Sequence, residues 1–145
     1  MRIFKKILVP VDGSLYSLNA ARLAAEIAEI HGSDLKLFHV LDVLMADQLK
    51  SLLKKNSGSI REELKSQAQG FLKDMVREIG KHKVNLEVLI EEGIPHEAII
   101  KEAASWGADL VVLGKLGRRG ISHIVLGSVA ERVIDFSEMP VLVVK

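Results

Sequence analysis

The stretch "GKLGRRGISHIVLGSV", residues 114–129, gathers glycines at 114, 117 and 127, a serine at 128, and the cations Lys115, Arg118 and Arg119. A helix that begins at Ser128 leaves the N–H groups of residues 128–130 without acceptors, with the positive end of the helix dipole behind them. That is the make-up of a phosphate-sized anion site. Gly114 and Gly117 admit positive φ and keep Cβ atoms away from the approach to the backbone; Gly127 opens the way to the helix terminus, and the cations supply countercharge. The same residues support a plainer reading. "SVAE", residues 128–131, has capping-box spacing, so that Ser128 and Glu131 could satisfy the terminal donors with no ligand at all. A second polar point is Asp12 in "VPVDGS". It either accepts from a ribose, water or a phosphate-bound metal, or bonds its own turn before Gly13. Ser14 and Ser17 read as helix caps.

Other chemistries find little support. The chain has no cysteine, which removes thiol nucleophiles, disulfides and Cys-ligated metals. Neither G-x-G-x-x-G nor G-x-x-x-x-G-K-[ST] occurs, so the dinucleotide fingerprint and the P-loop lysine are both missing. The histidines at 31, 39, 82, 96 and 123 make no H-x-x-x-H pair, and no G-x-S-x-G elbow accompanies them. Only His39, in the second strand, and His123, in the glycine segment, fall near the candidate site. No catalytic or protein-only metal site is expected.

These residues must be positioned by the rest of the chain, whose 145 residues suit one domain, 1–145. A net charge of +1 and 4% aromatic residues offer no general field or stacking surface for nucleic acid. No apolar run approaches the roughly 20 residues of a membrane span, and the apolar stretch of "MRIFKKILVPVDG" is short for a secretory signal. A cytoplasmic protein is expected.

Short apolar runs at 5–12 and 108–114 read as central strands buried on both faces, 84–92 alternates like an edge strand, and 34–41 and 140–145 complete five. Helical periods lie between them. The first has a stripe of Tyr16, Ala20, Leu23, Ile27 and Ile30; the second runs Ile60, Leu64, Ala68, Phe71, Met75 and Ile79, opened by a Ser59–Glu62 capping box. A third starts near Pro95, and Val129, Val133 and Phe136 mark a fourth. Residues 42–58 read as a helical turn and a loop. The alternation β-α-β-α-β-α-β-α-β predicts an α/β fold, a mostly parallel sheet with helices on both faces, whose ligands bind beyond the carboxyl ends of the strands.

Gly114, Gly117, Gly127 and Ser128 match the G-x2-G-x9-G-[ST] motif of the ATP-binding branch of the universal stress protein family, and "ILVPVDGS", "GADLVVLG" and "MPVLVVK" resemble its flanking blocks across the whole chain. The resemblance implies an open, Rossmann-like five-stranded sheet of order 3-2-1-4-5, of the adenine nucleotide alpha hydrolase-like type. It also implies that Pro10, Val11 and Asp12 border adenine and ribose, that Val40 contacts the base, and that Leu113 and Gly114 line the ribose side. Gly117, Gly127, Ser128 and Val129 would hold the phosphates. Between the first two glycines the family commonly has a small hydroxyl residue and then His or Arg; this chain has Lys115 and Leu116. Leu116 cannot pair with phosphate, whereas Lys115 can supply charge.

The implied ligand is ATP, ADP or AMP, with magnesium or manganese bound through the phosphates, and the implied role is nucleotide-dependent regulation of a protein partner. The implied order puts Val141–Val144 at an edge, where an apolar strand invites pairing into a homodimer. A weak nucleotide hydrolase or adenylate-forming enzyme, and a structural dimer module with an empty site, are the rival readings.

Overall fold

The apolar run Lys6–Pro10 (β1) pairs in parallel with Leu110–Gly114 (β4), Ile7 opposite Leu110 and Leu8 opposite Val111. Both strands lie at the centre of the sheet in a computed structural model that describes residues 3–117 and 126–145. The other described elements are α1 (Leu15–His31), β2 (Asp34–Asp42), α2 (Val43–Leu53), α3 (Ser57–Ile79), β3 (Asn85–Gly93), α4 (Pro95–Trp106), α5 (Ser128–Phe136) and β5 (Val141–Val144). The five strands are parallel throughout, in the order β3-β2-β1-β4-β5. This is the α/β architecture and the strand order that the sequence and the resemblance lead one to expect.

Period-two alternation divides each central strand between two cores. Ile7 and Val9 join Leu110 and Val112 beneath α1 and α3; Leu8 joins Val111 and Leu113 beneath α4 and α5. Each side chain in the pair of strands is thus removed from water on one face or the other. The edges differ in kind. β3 exposes Glu87, Glu91 and Glu92, while β5 presents only half-buried valines and a leucine.

Four helix expectations change. Of the expected stripe on α1 Ala20 is buried, together with Ser17, Ala21, Ala24, Ala25 and Ala28 in place of the larger residues, and Ile30 is 82% exposed. The helix lies so close to the sheet that only small side chains fit between them, and Tyr16, Leu23 and Ile27 flank that face half-buried. Residues 42–58 hold a full helix, α2, capped by Asp42, whose carboxylate accepts from the N–H groups of Leu44 and Met45. The next helix starts earlier than the Ser59–Glu62 box implied, because Asn56 caps it by accepting from the Ser59 N–H at 2.8 Å. Of its predicted stripe Ile60, Ala68, Met75 and Ile79 are buried, with Leu72, while Leu64 and Phe71 are half-buried. Pro95 opens α4 as expected, and Gly107 closes it in the left-handed region. Phe136, expected inside, is 66% exposed at the end of α5, where Ala130 and Val133 make the contact.

Close packing of α1 explains one motif glycine. A Cβ on Gly114 would lie 2.8 Å from the carbonyl carbon and Cβ of Tyr16 and 2.9 Å from the Ser17 nitrogen. The space belongs to the helix backbone, which cannot yield as a side-chain tip can. Overpacking of this sort costs typically 1–3 kcal/mol. Gly114→Ala is therefore expected to destabilise the fold by about 2 kcal/mol, read as a lower urea midpoint at unchanged slope.

Lys36, in β2, is buried among apolar neighbours. Its Nζ lies 2.9 Å from Glu102 Oε2 of α4, 3.6 Å from Glu87 Oε2 and 4.4 Å from the centre of the Trp106 ring. Removing one partner of a buried pair leaves the other charge poorly compensated, whereas replacing both by apolar side chains of similar volume leaves no buried charge. Glu102→Ala should cost about 3 kcal/mol in urea unfolding and the double replacement Lys36→Met with Glu102→Leu much less; equal losses would show that the pair has no such asymmetry.

Candidate functional site

Because β1 and β4 are neighbours, the loops at their carboxyl ends border one cavity of about 590 Å³. Pro10, Val11 and Asp12 enter its wall from β1, Val40 from β2, and Leu113, Gly114, Lys115 and Gly117 from the end of β4 and its loop. Gly127, Ser128 and Val129 complete the opposite side at the start of α5. All eleven candidate residues thus meet at one place. Arg118, Arg119 and His123 lie outside the described residues.

The turn after β1 is held from within. Asp12 Oδ1 accepts from the Ser14 N–H at 2.9 Å, the Asp12 N–H reaches Ser17 Oγ at 3.3 Å, and Ser14 Oγ accepts from the Ser17 N–H at 3.1 Å to cap α1. Gly13 takes φ 85°, a conformation that favours glycine, and Phe71 packs where its Cβ would be, 2.9 Å away. Asp12 thus bonds its own turn, and it also stands on the cavity wall.

The β4 loop is fastened to the sheet and to α5. The Lys115 N–H donates to the Val144 carbonyl at 2.7 Å, and the Lys115 carbonyl accepts from the Gly127 N–H at 2.8 Å. None of Gly114, Gly117 and Gly127 has positive φ, contrary to expectation for the first two. Their constraint is close approach. A Cβ on Gly117 would sit 2.7 Å from Asp12 Oδ2, and one on Gly127 would sit 3.3 Å from the Lys115 carbonyl oxygen and 3.4 Å from Leu116 Cα. Leu116 turns inward and is buried, so it packs beneath the loop instead of facing solvent.

Helix α5 also departs from the capping-box reading. Gly127 is the N-cap and Ser128 the first helical residue, with no side-chain hydrogen bond at the cap. Glu131 makes the first intrahelical bond, from its N–H to the Gly127 carbonyl at 2.9 Å. By helix geometry the N–H groups of Ser128, Val129 and Ala130 have no intrahelical acceptor, and all three residues line the cavity. The helix thus directs three donors and its positive end toward that space.

Much of the remaining wall was not foreseen. Met45 of α2, Leu64, Gln67 and Phe71 of α3, and Pro95 and Ile99 of α4 add an apolar surface with one amide. Leu64, Gln67 and Phe71 share a helical face, so an amide among apolar residues at that spacing was the available signal. His39 lines the cavity too, its Nδ1 2.7 Å from the Val11 carbonyl. Asp42 and Glu131 also reach the wall, Asp42 while capping α2. Among the described residues no group of three or more His, Asp or Glu side chains converges to hold a metal ion.

A profile of the universal stress protein family matches residues 3–145. The universal stress protein MJ0531 of Methanocaldococcus jannaschii is 38% identical over 146 residues, covering 99% of this chain and 83% of the relative. The solved structure of MJ0577, a universal stress protein of the same archaeon, superposes with a TM-score of 0.86 at 30% identity, covering 99% of this chain and 96% of the other. A universal stress protein from Archaeoglobus fulgidus in complex with dAMP superposes with a TM-score of 0.73 at 25% identity, covering 99% of both chains. A match along nearly the full length, together with the shared sheet, means that this chain belongs to the universal stress protein family.

Proposed function

We propose that the cavity binds an adenine nucleotide, ATP, ADP or AMP, with the phosphates at the start of α5 and the base toward Val40. The observation that carries this reading is the N-terminus of α5, opened by a glycine, uncapped by a side chain and facing a cavity of about 590 Å³. The dAMP complex of the Archaeoglobus relative supports the choice of base and phosphate. Pro10, Val11, Asp12, Leu113 and Gly114 would border base and ribose, and Lys115, Gly117, Gly127, Ser128 and Val129 the phosphates. A magnesium or manganese ion would take its ligands from phosphate and water, with the Asp12 carboxylate as the protein's candidate contribution. Asp12 and Asp42 are both engaged with backbone N–H groups, which favours retention of a nucleotide over activation of water for its hydrolysis. Nucleotide occupancy would then set the surface offered to a regulatory protein partner in the cytoplasm.

Isothermal titration should show AMP and ATP binding at submillimolar ligand. Gly117→Ala drives the Asp12 carboxylate from its place and Gly127→Ala presses on the Lys115 and Leu116 backbone. Each should weaken AMP about tenfold, equivalent to roughly 1.4 kcal/mol. Wild-type protein that binds neither nucleotide at millimolar ligand would refute the reading.

We also propose a homodimer through Val141–Val144. This strand lies at the edge of the sheet beside β4, carries no charge or proline within it, and leaves one row of backbone groups to pair. Light scattering at micromolar concentration should give about twice the 16.0 kDa chain mass; a monomer would contradict it.

A further inference from the structure

We infer that His39 is a positioning residue that fixes the Val11 peptide at the rim of the cavity, and so sets how well a nucleotide is held. The inference rests on the nucleotide reading above. The distance from His39 Nδ1 to the Val11 carbonyl oxygen is 2.7 Å, and a carbonyl can only accept. The ring must therefore carry its proton on Nδ1. Its plane stands at 88° to Phe71, with ring centres 5.0 Å apart, and Phe71 in turn fills the space beside Gly13. Two side chains, one from β2 and one from α3, thus hold the turn at residues 11–13 by a hydrogen bond and by packing. The Val11 N–H donates to the Phe38 carbonyl at 2.9 Å, so both polar groups of this peptide unit's residue are tied to β2. The position of the turn matters because Asp12 follows directly, with Oδ2 at the place a Gly117 Cβ would need. A shift of Val11 moves Asp12 against the glycine loop and alters both sides of the cavity together.

The experiment compares AMP binding by wild type, His39→Leu and His39→Asn, alongside nitrogen NMR of the wild-type imidazole. Asparagine carries a donor nitrogen one bond beyond Cγ, as Nδ1 is part of the ring at that point, and can restore the bond to Val11. Leucine keeps the bulk and loses the donor. His39→Leu should bind AMP about tenfold more weakly, and His39→Asn within about threefold of wild type, as expected for loss and restoration of the donor to the Val11 carbonyl. A role in general packing alone predicts the opposite order, since leucine preserves more apolar contact. The NMR spectrum of wild-type protein at neutral pH should show the Nδ1–H tautomer. An Nε2–H tautomer, or AMP affinity in His39→Leu equal to wild type, would overturn the proposal. If His39→Leu fails to fold, the wild-type tautomer and the His39→Asn affinity still decide it. Wild-type protein that binds no AMP overturns the nucleotide reading, and the positioning role falls with it.

Discussion

The parallel pairing of β1 with β4 is the constraint from which the cavity follows. Neither strand offers a polar side chain between Ile7 and Val9 or between Leu110 and Leu113, so each must be covered on both faces. Pairing them at the centre of the sheet achieves this, and the chain reverses its winding there: β2 and β3 are added on one side, β5 on the other. The two connections leave in opposite directions and leave a gap at the carboxyl ends. Asp12 and Gly117 face each other across that gap because their strands are hydrogen-bonded neighbours. No separate device is needed to bring the two loops together.

Glycine at 114, 117 and 127 serves three different contacts, although the motif presents them as a set. Gly114 admits the backbone of α1, Gly117 admits a carboxylate, and Gly127 lets the start of α5 pass close to the backbone of its own loop. Their φ values are ordinary for any residue, so what the sequence suggested about backbone freedom is replaced by steric exclusion. The alanine face of α1 follows the same rule. Small residues at 20, 21, 24, 25 and 28 bring the helix down on the sheet until Gly114 is the only residue type that fits beneath Tyr16.

The strands were legible because a strand buried on both faces has to be apolar throughout, and β3 because a half-covered edge has to alternate. The candidate residues in the two loops were legible because glycine, serine and aspartate at strand ends have few structural reasons to cluster. Helix α2 was not. None of its side chains is buried, so its apolar residues give no period tied to a core, and its start depends on the Asp42 cap more than on packing. The wall from α3 was hidden for the reverse reason. Leu64 and Phe71 are spaced as core residues are, and nothing in that spacing separates a side chain that covers the sheet from one that lines a cavity. The end of α5 failed on length: in a helix of nine residues, Phe136 lies beyond the part that the sheet covers.

The features that make the cavity receptive also act against the empty fold. A helix start capped by glycine forgoes the hydrogen bond of a Ser, Thr, Asp or Asn side chain, a loss of roughly a few tenths of a kcal/mol. The cavity forgoes packing contacts among Met45, Phe71, Ile99 and Leu113. A ligand with a polyanionic end and an apolar ring system would relieve both deficits at once. Such relief appears as added stability of RT ln(1 + [L]/Kd). On the proposed function, then, the regulatory signal requires no large motion: a nucleotide would add partners at the helix start and fill the space beside it, and the surface made by these segments would be stabilised in proportion to occupancy.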